Sequence, residues 1–112
     1  MAINFDAQNH TTFSSVSSKD VSITVGSGSD RAAILSIWTG STISSVSTLG
    51  GATATLIGSG SGGGFNFMHY SFVGMSTGSQ TTTVTLNSTD NLELFLTTYD
   101  GVDQTTPTTS AT

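Results

Sequence analysis

The sequence predicts an all-β protein, an antiparallel β-sandwich of two sheets, and three observations carry that prediction. Apolar residues recur with a period of two, clearest in Val21, Ile23 and Val25 and again in Leu92, Leu94 and Leu96, as a pleated strand requires. Gly, Ser, Thr and β-branched residues fill most other positions, and all of them disfavour a helix. No segment of ten or more residues carries a 3.6-residue apolar repeat between helix caps.

In chain order, residues 2–6 form a first short strand with Ile3 and Phe5 on one face, and residues 11–16 a weaker one. In residues 21–25, Ser22 and Thr24 separate the apolar side chains, the mark of a strand buried on one face. Residues 26–30 are a Gly/Ser loop, and residues 31–39 a longer strand holding Ile34, Leu35 and Ile37. A strand over 43–49 meets Gly50-Gly51, a hairpin signal, and continues into a strand over 52–57. The glycine-serine run 58–64 reads as a flexible loop. Bulky side chains on both faces of residues 65–73 predict a central strand.

Residues 81–86 form a polar-faced strand, and residues 92–99 the most strand-like run of all, expected to be buried on both faces. Asp100-Gly101 then turns a tight structural corner, because that pair tolerates positive φ. Pro107, the single proline, cannot donate to a ladder and ends regular pairing. Eight or nine short strands joined by Gly-rich turns suggest a jelly-roll-like arrangement. Residues 1–103 are expected to be the sandwich domain and residues 104–112 a polar C-terminal tail docked on a neighbouring subunit.

At 112 residues the chain is one domain, able to bury roughly 65% of its unfolded surface. Charged residues make up 8%, against about 25% in ordinary soluble domains, so serine and threonine provide the wet surface. Lys19 and Arg31 are the only basic residues. They cannot make a phosphate track or hold an anionic bilayer, which argues against nucleic acid and membrane partners. The net charge of −5 points weakly to a basic partner, or simply to solubility. Without cysteine there is no disulfide or thiolate metal site. The opening residues lack the basic and apolar regions of a secretory signal, and no run approaches 18 apolar residues, so folding in a cytoplasm is expected.

Sites for chemistry are sparse. His10 and His69 are the only histidines, and no spacing offers the three or four ligands of a zinc site. His69 shares parity with Phe65, Phe67 and Val73 and is expected to be packed and hydrogen-bonded. Asp100 and Asp103 flank a turn, where calcium is one use and local capping the commoner one. A glycosidase would need two carboxylates facing each other across a cleft; Glu93 is the only strand-borne candidate for one of them, and a solvent-side residue is its simpler role. No convincing Ser/His/Asp set or phosphate loop is present, and no cofactor or metal is expected. Trp38, with Tyr70 and Tyr99, either stacks on a sugar or anchors packing, the second being the commoner role.

Several stretches taken together suggest a family. They are Ile3-Asn4-Phe5-Asp6, the run Thr24-Val-Gly-Ser-Gly-Ser-Asp-Arg31, Val46-Ser-Thr-Leu-Gly-Gly-Ala52 with Leu56, and the ending Tyr99-Asp-Gly-Val-Asp-Gln-Thr-Thr-Pro107. The chain resembles jelly-roll-like β-sandwich proteins of tailed-phage genomes and of some bacterial surface proteins. That resemblance implies a structural or surface role and carries over no catalytic residues. Family domains continue past the corner with further strands, whereas here the sequence has only residues 108–112 after Pro107. Either the fold is shortened or a neighbour supplies the missing edge, since an unpaired strand is a template for pairing.

The expectation is a non-enzymatic phage virion structural protein, a capsid decoration or tail or fibre component, assembled in the host cytoplasm. Its contacts would run through Ile3, Phe5, Asp103, Gln104, Thr105, Thr106, Pro107 and Thr108. Partners would be further copies or another virion protein, such as a major capsid or tail protein. The alternative is a carbohydrate-binding or adhesion module with Trp38 as the sugar contact.

Overall fold

The computed structural model of the chain describes residues 3–105, and none of these is helical. Six strands form one antiparallel sheet: β1 (Asn4–Val25), β2 (Ala32–Thr39), β3 (Ile43–Val46), β4 (Thr55–Gly62), β5 (Phe65–Val73) and β6 (Gly78–Asp100). The strand order is β1-β6-β2-β5-β4, with β3 pairing on β6 away from that path.

Residues 4–25 and 78–100, where the sequence predicts several short strands, each form a single long one. β1 and β6 make a continuous ribbon, pairing from Asn4 with Asp100 to Val25 with Gly78. Register shifts at Phe13, Val16 and Ser18 let this ribbon bend without breaking, and Ser15 takes a φ of 53° there. Polar side chains hold the bend. Asn91 Oδ1 accepts the Ser15 amide (3.3 Å), Thr39 Oγ1 donates to the Asn91 carbonyl (2.7 Å), and buried Ser41 meets the Ser88 hydroxyl (3.0 Å). The polar run Asn87-Ser-Thr-Asp90, between the two strands expected over 81–86 and 92–99, serves as the elbow of a single strand.

Both arms of the ribbon feed one core. Val21, Ile23 and Val25 with Val84 and Leu86 come from one arm, and Leu92, Leu94 and Leu96 come from the other. Ala33, Leu35 and Ile37 of β2, Phe72 of β5, and the loop residues Leu49, Ala52 and Met75 complete it. β6 is flanked by β1 and β2, as expected of an organising strand. It is buried on one face only, however: Glu93, Phe95 and Thr97 are half-exposed. β5 is an interior strand paired to β2 and β4.

The run 58–64 is not a flexible loop. Residues 58–62 belong to β4, and Gly63-Gly64 turn back into β5 with φ of 60° and 84°, the doubly left-handed geometry of a tight hairpin that glycine adopts freely. Of the hairpin predicted at Gly50-Gly51 only the turn forms, since β3 pairs with β6 and β4 with β5. Leu49 and Ala52 exchange both backbone hydrogen bonds (2.9 Å each) around Gly50-Gly51.

The corner at Asp100-Gly101, where Gly101 has a φ of 71°, is knitted to the loop before β2. The Gly101 and Val102 amides donate to the Ser29 and Asp30 carbonyls (3.0 Å each), and Asn4 Nδ2 donates to Asp100 Oδ1 (2.9 Å). Arg31 clamps the loop by donating from Nε to the Met75 carbonyl (2.7 Å) and from its terminal nitrogen to the Gly28 carbonyl (2.9 Å). Asp6, at a register shift in β1, accepts from the Gly26 amide and the buried Thr98 hydroxyl (2.8 Å each). One of the two basic residues is therefore a bracket for the fold.

Candidate functional site

Cross-strand partners share a face of a sheet, so the pairings set out the side of the β1-β6-β2-β5 layer that turns away from the core. Three rows cross it: Gln8, Thr97, Ile34 and Ser71; His10, Phe95, Ser36 and His69; and Thr12, Glu93, Trp38 and Phe67. Phe5, Tyr99, Ala32 and Val73 make a fourth row at one end. Of the side chains in these rows only Glu93 carries a fixed charge, and rings recur along the length of the face.

At one end Trp38 stacks on Phe67 (centroids 5.3 Å apart, planes at 21°) and leans on Phe65 (5.1 Å, 48°). Trp38 is 38% exposed and Phe65 41%. A shallow hollow of about 220 Å³ lies beside them, lined by Thr12, Trp38, Phe65, Asn91, Leu92 and Glu93. In the middle the His10 ring lies flat on Phe95 (4.0 Å, 7°), with Nε2 2.7 Å from Glu93 Oε1. His69 is exposed rather than packed, but hydrogen-bonded as expected, its Nδ1 standing 2.8 Å from Ser36 Oγ. That is nucleophile-to-base distance, yet among the described residues no hydrogen bond joins His69 to an orienting carboxylate.

At the far end Phe5 meets Tyr99 edge-on (6.5 Å, 84°), and both Ile3 and Phe5 are more than 60% exposed. An apolar hollow of about 240 Å³ lies between Ile3, Ala32, Ile34, Tyr99 and Val102. The structure thus places the N-terminal contact residues and the tryptophan at opposite ends of the same face. Tyr70, grouped with Trp38 by pattern, packs against the core instead, and burial raises its phenol pKa.

The face ends in β4, whose only strand partner among the described residues is β5. Its residues Thr55-Leu-Ile-Gly-Ser-Gly-Ser-Gly62 include no charge and no proline. Gly58, Gly60 and Gly62 pair with His69, Phe67 and Phe65, and a Cβ added at Gly60 or Gly62 would touch nothing within 4 Å. No strand among the described residues therefore covers this backbone edge beside the aromatic side chains.

The C-terminal contact residues are only partly described. Gln104 is held on its own chain, donating to the Val102 carbonyl (2.9 Å) and the Arg31 carbonyl (3.3 Å). Asp103 Oδ1 accepts the Thr105 amide (2.8 Å), a local cap. Thr106, Pro107 and Thr108 lie outside the described residues. Among the described residues no three His, Asp or Glu side chains converge as a metal site would need.

Sequence parity groups Phe65, Phe67 and His69, but it cannot show that β2 register brings Trp38 and Ser36 against them. Nor does a glycine-serine run announce a strand edge. Comparison with known proteins finds no matching family model, no similar curated protein and no similar solved structure.

Proposed function

We propose that this chain is a non-enzymatic structural subunit that works by associating along the free edge of β4. Its proposed setting is a tailed-phage virion, as a capsid decoration or a tail or fibre component. The setting rests on the family resemblance of the motifs quoted above. The association rests on one observation, the eight-residue β4 edge with neither charge nor proline. Isolated proteins usually blunt such an edge with lysine, proline or a covering loop, because its unpaired amides and carbonyls recruit another strand. One register shift between Leu56 and Gly58 is the only irregularity in its pairing with β5.

The two arms of the bent ribbon contribute to a single core, which supports a two-layer, jelly-roll-like sandwich whose larger layer ends in β4. Pairing β4 of one copy with β4 of another extends that layer and needs no ion pairs, in keeping with an 8% charged composition. Exposed Leu56 at the start of the strand adds apolar contact. A stable site needs about 800 Å² per partner, so the Ile3 and Phe5 end of the face is the natural second contact.

The test is the mass in solution by light scattering, for the native chain and for the Gly60→Lys/Gly62→Lys variant. Both positions have open space, so the fold is retained, while lysines on an edge oppose strand addition. The native chain is expected at a whole-number multiple of its own mass and the variant as a monomer with an unchanged circular dichroism spectrum. A native monomer at every concentration, or a variant that associates as well as the native chain, contradicts the proposal.

A further inference from the structure

We propose that the Trp38 end of the outer face is a binding shelf for a neutral oligosaccharide. Trp38, Phe65 and Phe67 are not among the core residues, and two of them are more than a third exposed, so holding the fold together does not account for them. Their rings form one broad, tilted surface, and the negative π faces suit the C–H side of a pyranose ring.

Polar groups stand at the rim of the adjoining hollow. Glu93 gives Oε1 to His10, which leaves Oε2 without a partner among the described residues. Asn91 uses Oδ1 for the Ser15 amide and leaves its side-chain N–H groups free of partners among the described residues. An apolar platform with a few placed donors and acceptors is the usual make-up of a small-ligand site, and a carboxylate oxygen forms strong bonds to hydroxyls.

Charge narrows the ligand class. No lysine or arginine lies in the rows of this face and Glu93 would repel an anion, so sialylated, sulfated or phosphorylated ligands are disfavoured. Shape narrows it further. Gly60, beside Phe67, raises no side-chain wall, so the shelf runs open to the sheet edge and admits a chain of sugars. Pairing along the β4 edge, with its second contact at the Ile3 and Phe5 end, leaves the Trp38 end of the face uncovered, so the shelf operates whether or not copies associate.

Trp38 is the only tryptophan, so its fluorescence reports on the shelf directly. The native chain is titrated with cellotetraose, maltotetraose and N-acetylchitotetraose, with sialyllactose as the anionic comparison. At least one neutral tetrasaccharide is expected to change the emission saturably at or below millimolar concentration, and sialyllactose is not. Phe65→Ala removes an exposed ring and Glu93→Gln keeps the side-chain shape, so both variants should fold. Each is expected to weaken binding about tenfold. The proposal is overturned if none of the three tetrasaccharides gives a saturable change, or if the response survives both substitutions. It is equally overturned if Trp38 emission shifts with protein concentration alone, which would mean that a second copy covers the shelf.

Discussion

Phe72→Ala is expected to cost about 3–5 kcal/mol of folding free energy. Phe72 is fully buried on the core side of β5, and its partner across β2 is Ala33, itself fully buried. An alanine opposite an alanine leaves a void in the core, so the cavity penalty adds to the lost transfer energy. For a domain whose total stability is about 5–15 kcal/mol, the melting temperature should fall by roughly 15 °C or more. Urea unfolding followed by circular dichroism measures the loss. Phe5→Ala is the control: that ring is 63% exposed, and its removal should cost about 0.5 kcal/mol or less. Equal effects from the two substitutions would mean that the core is misplaced.

The second large effect is expected at the hairpin before β4. Gly50 and Gly51 both have positive φ, 55° and 81°, so alanine at either meets a backbone penalty of roughly 1–2 kcal/mol. Their surroundings differ. A Cβ on Gly51 meets nothing within 4 Å, whereas one on Gly50 would stand 2.9 Å from the Ser76 amide nitrogen and 3.0 Å from Met75 Cβ. The Gly50 carbonyl accepts that same Ser76 amide at 2.9 Å, and Met75 is fully buried, so neither neighbour moves freely. Overpacking then adds about 1–3 kcal/mol. Gly50→Ala should therefore lose about 2–5 kcal/mol and Gly51→Ala about 1–2 kcal/mol, in the same urea experiment. An equal loss at the two sites would show that only the backbone conformation matters.

How much of this was legible in the sequence depends on the element. The alternations Val21, Ile23, Val25 and Leu92, Leu94, Leu96 identify core-facing strand residues, and all six are buried. Gly50-Gly51 and Asp100-Gly101 mark turns where turns occur, because only special residues tolerate those dihedrals. The bent ribbon was not legible. Its elbow is a polar run satisfied by side chains from the loop after β2, a long-range fact that no local pattern carries. The second part of β4, residues 58–62, was hidden for the opposite reason. Glycine weakens a strand by itself, and here pairing with β5 overrides that preference.

The same limit applied to the candidate site. Trp38 was visible as a lone aromatic near a strand end, and Phe65 and Phe67 as bulky residues of another strand. Their meeting depends on the register of β2 against β5, set by the hairpins and the core. Ile3 and Phe5, singled out by their pattern alone, share the face with the tryptophan only because β1 and β2 flank β6.

The most direct measurement of the central claim is amide hydrogen exchange of the β4 peptide in the native chain, dilute against concentrated. Association along this edge predicts that exchange in residues 55–62 slows as concentration rises, while the β2 peptide, paired on both sides already, stays unchanged. Exchange in β4 that is identical at both concentrations, with the edge open to water throughout, would contradict the account.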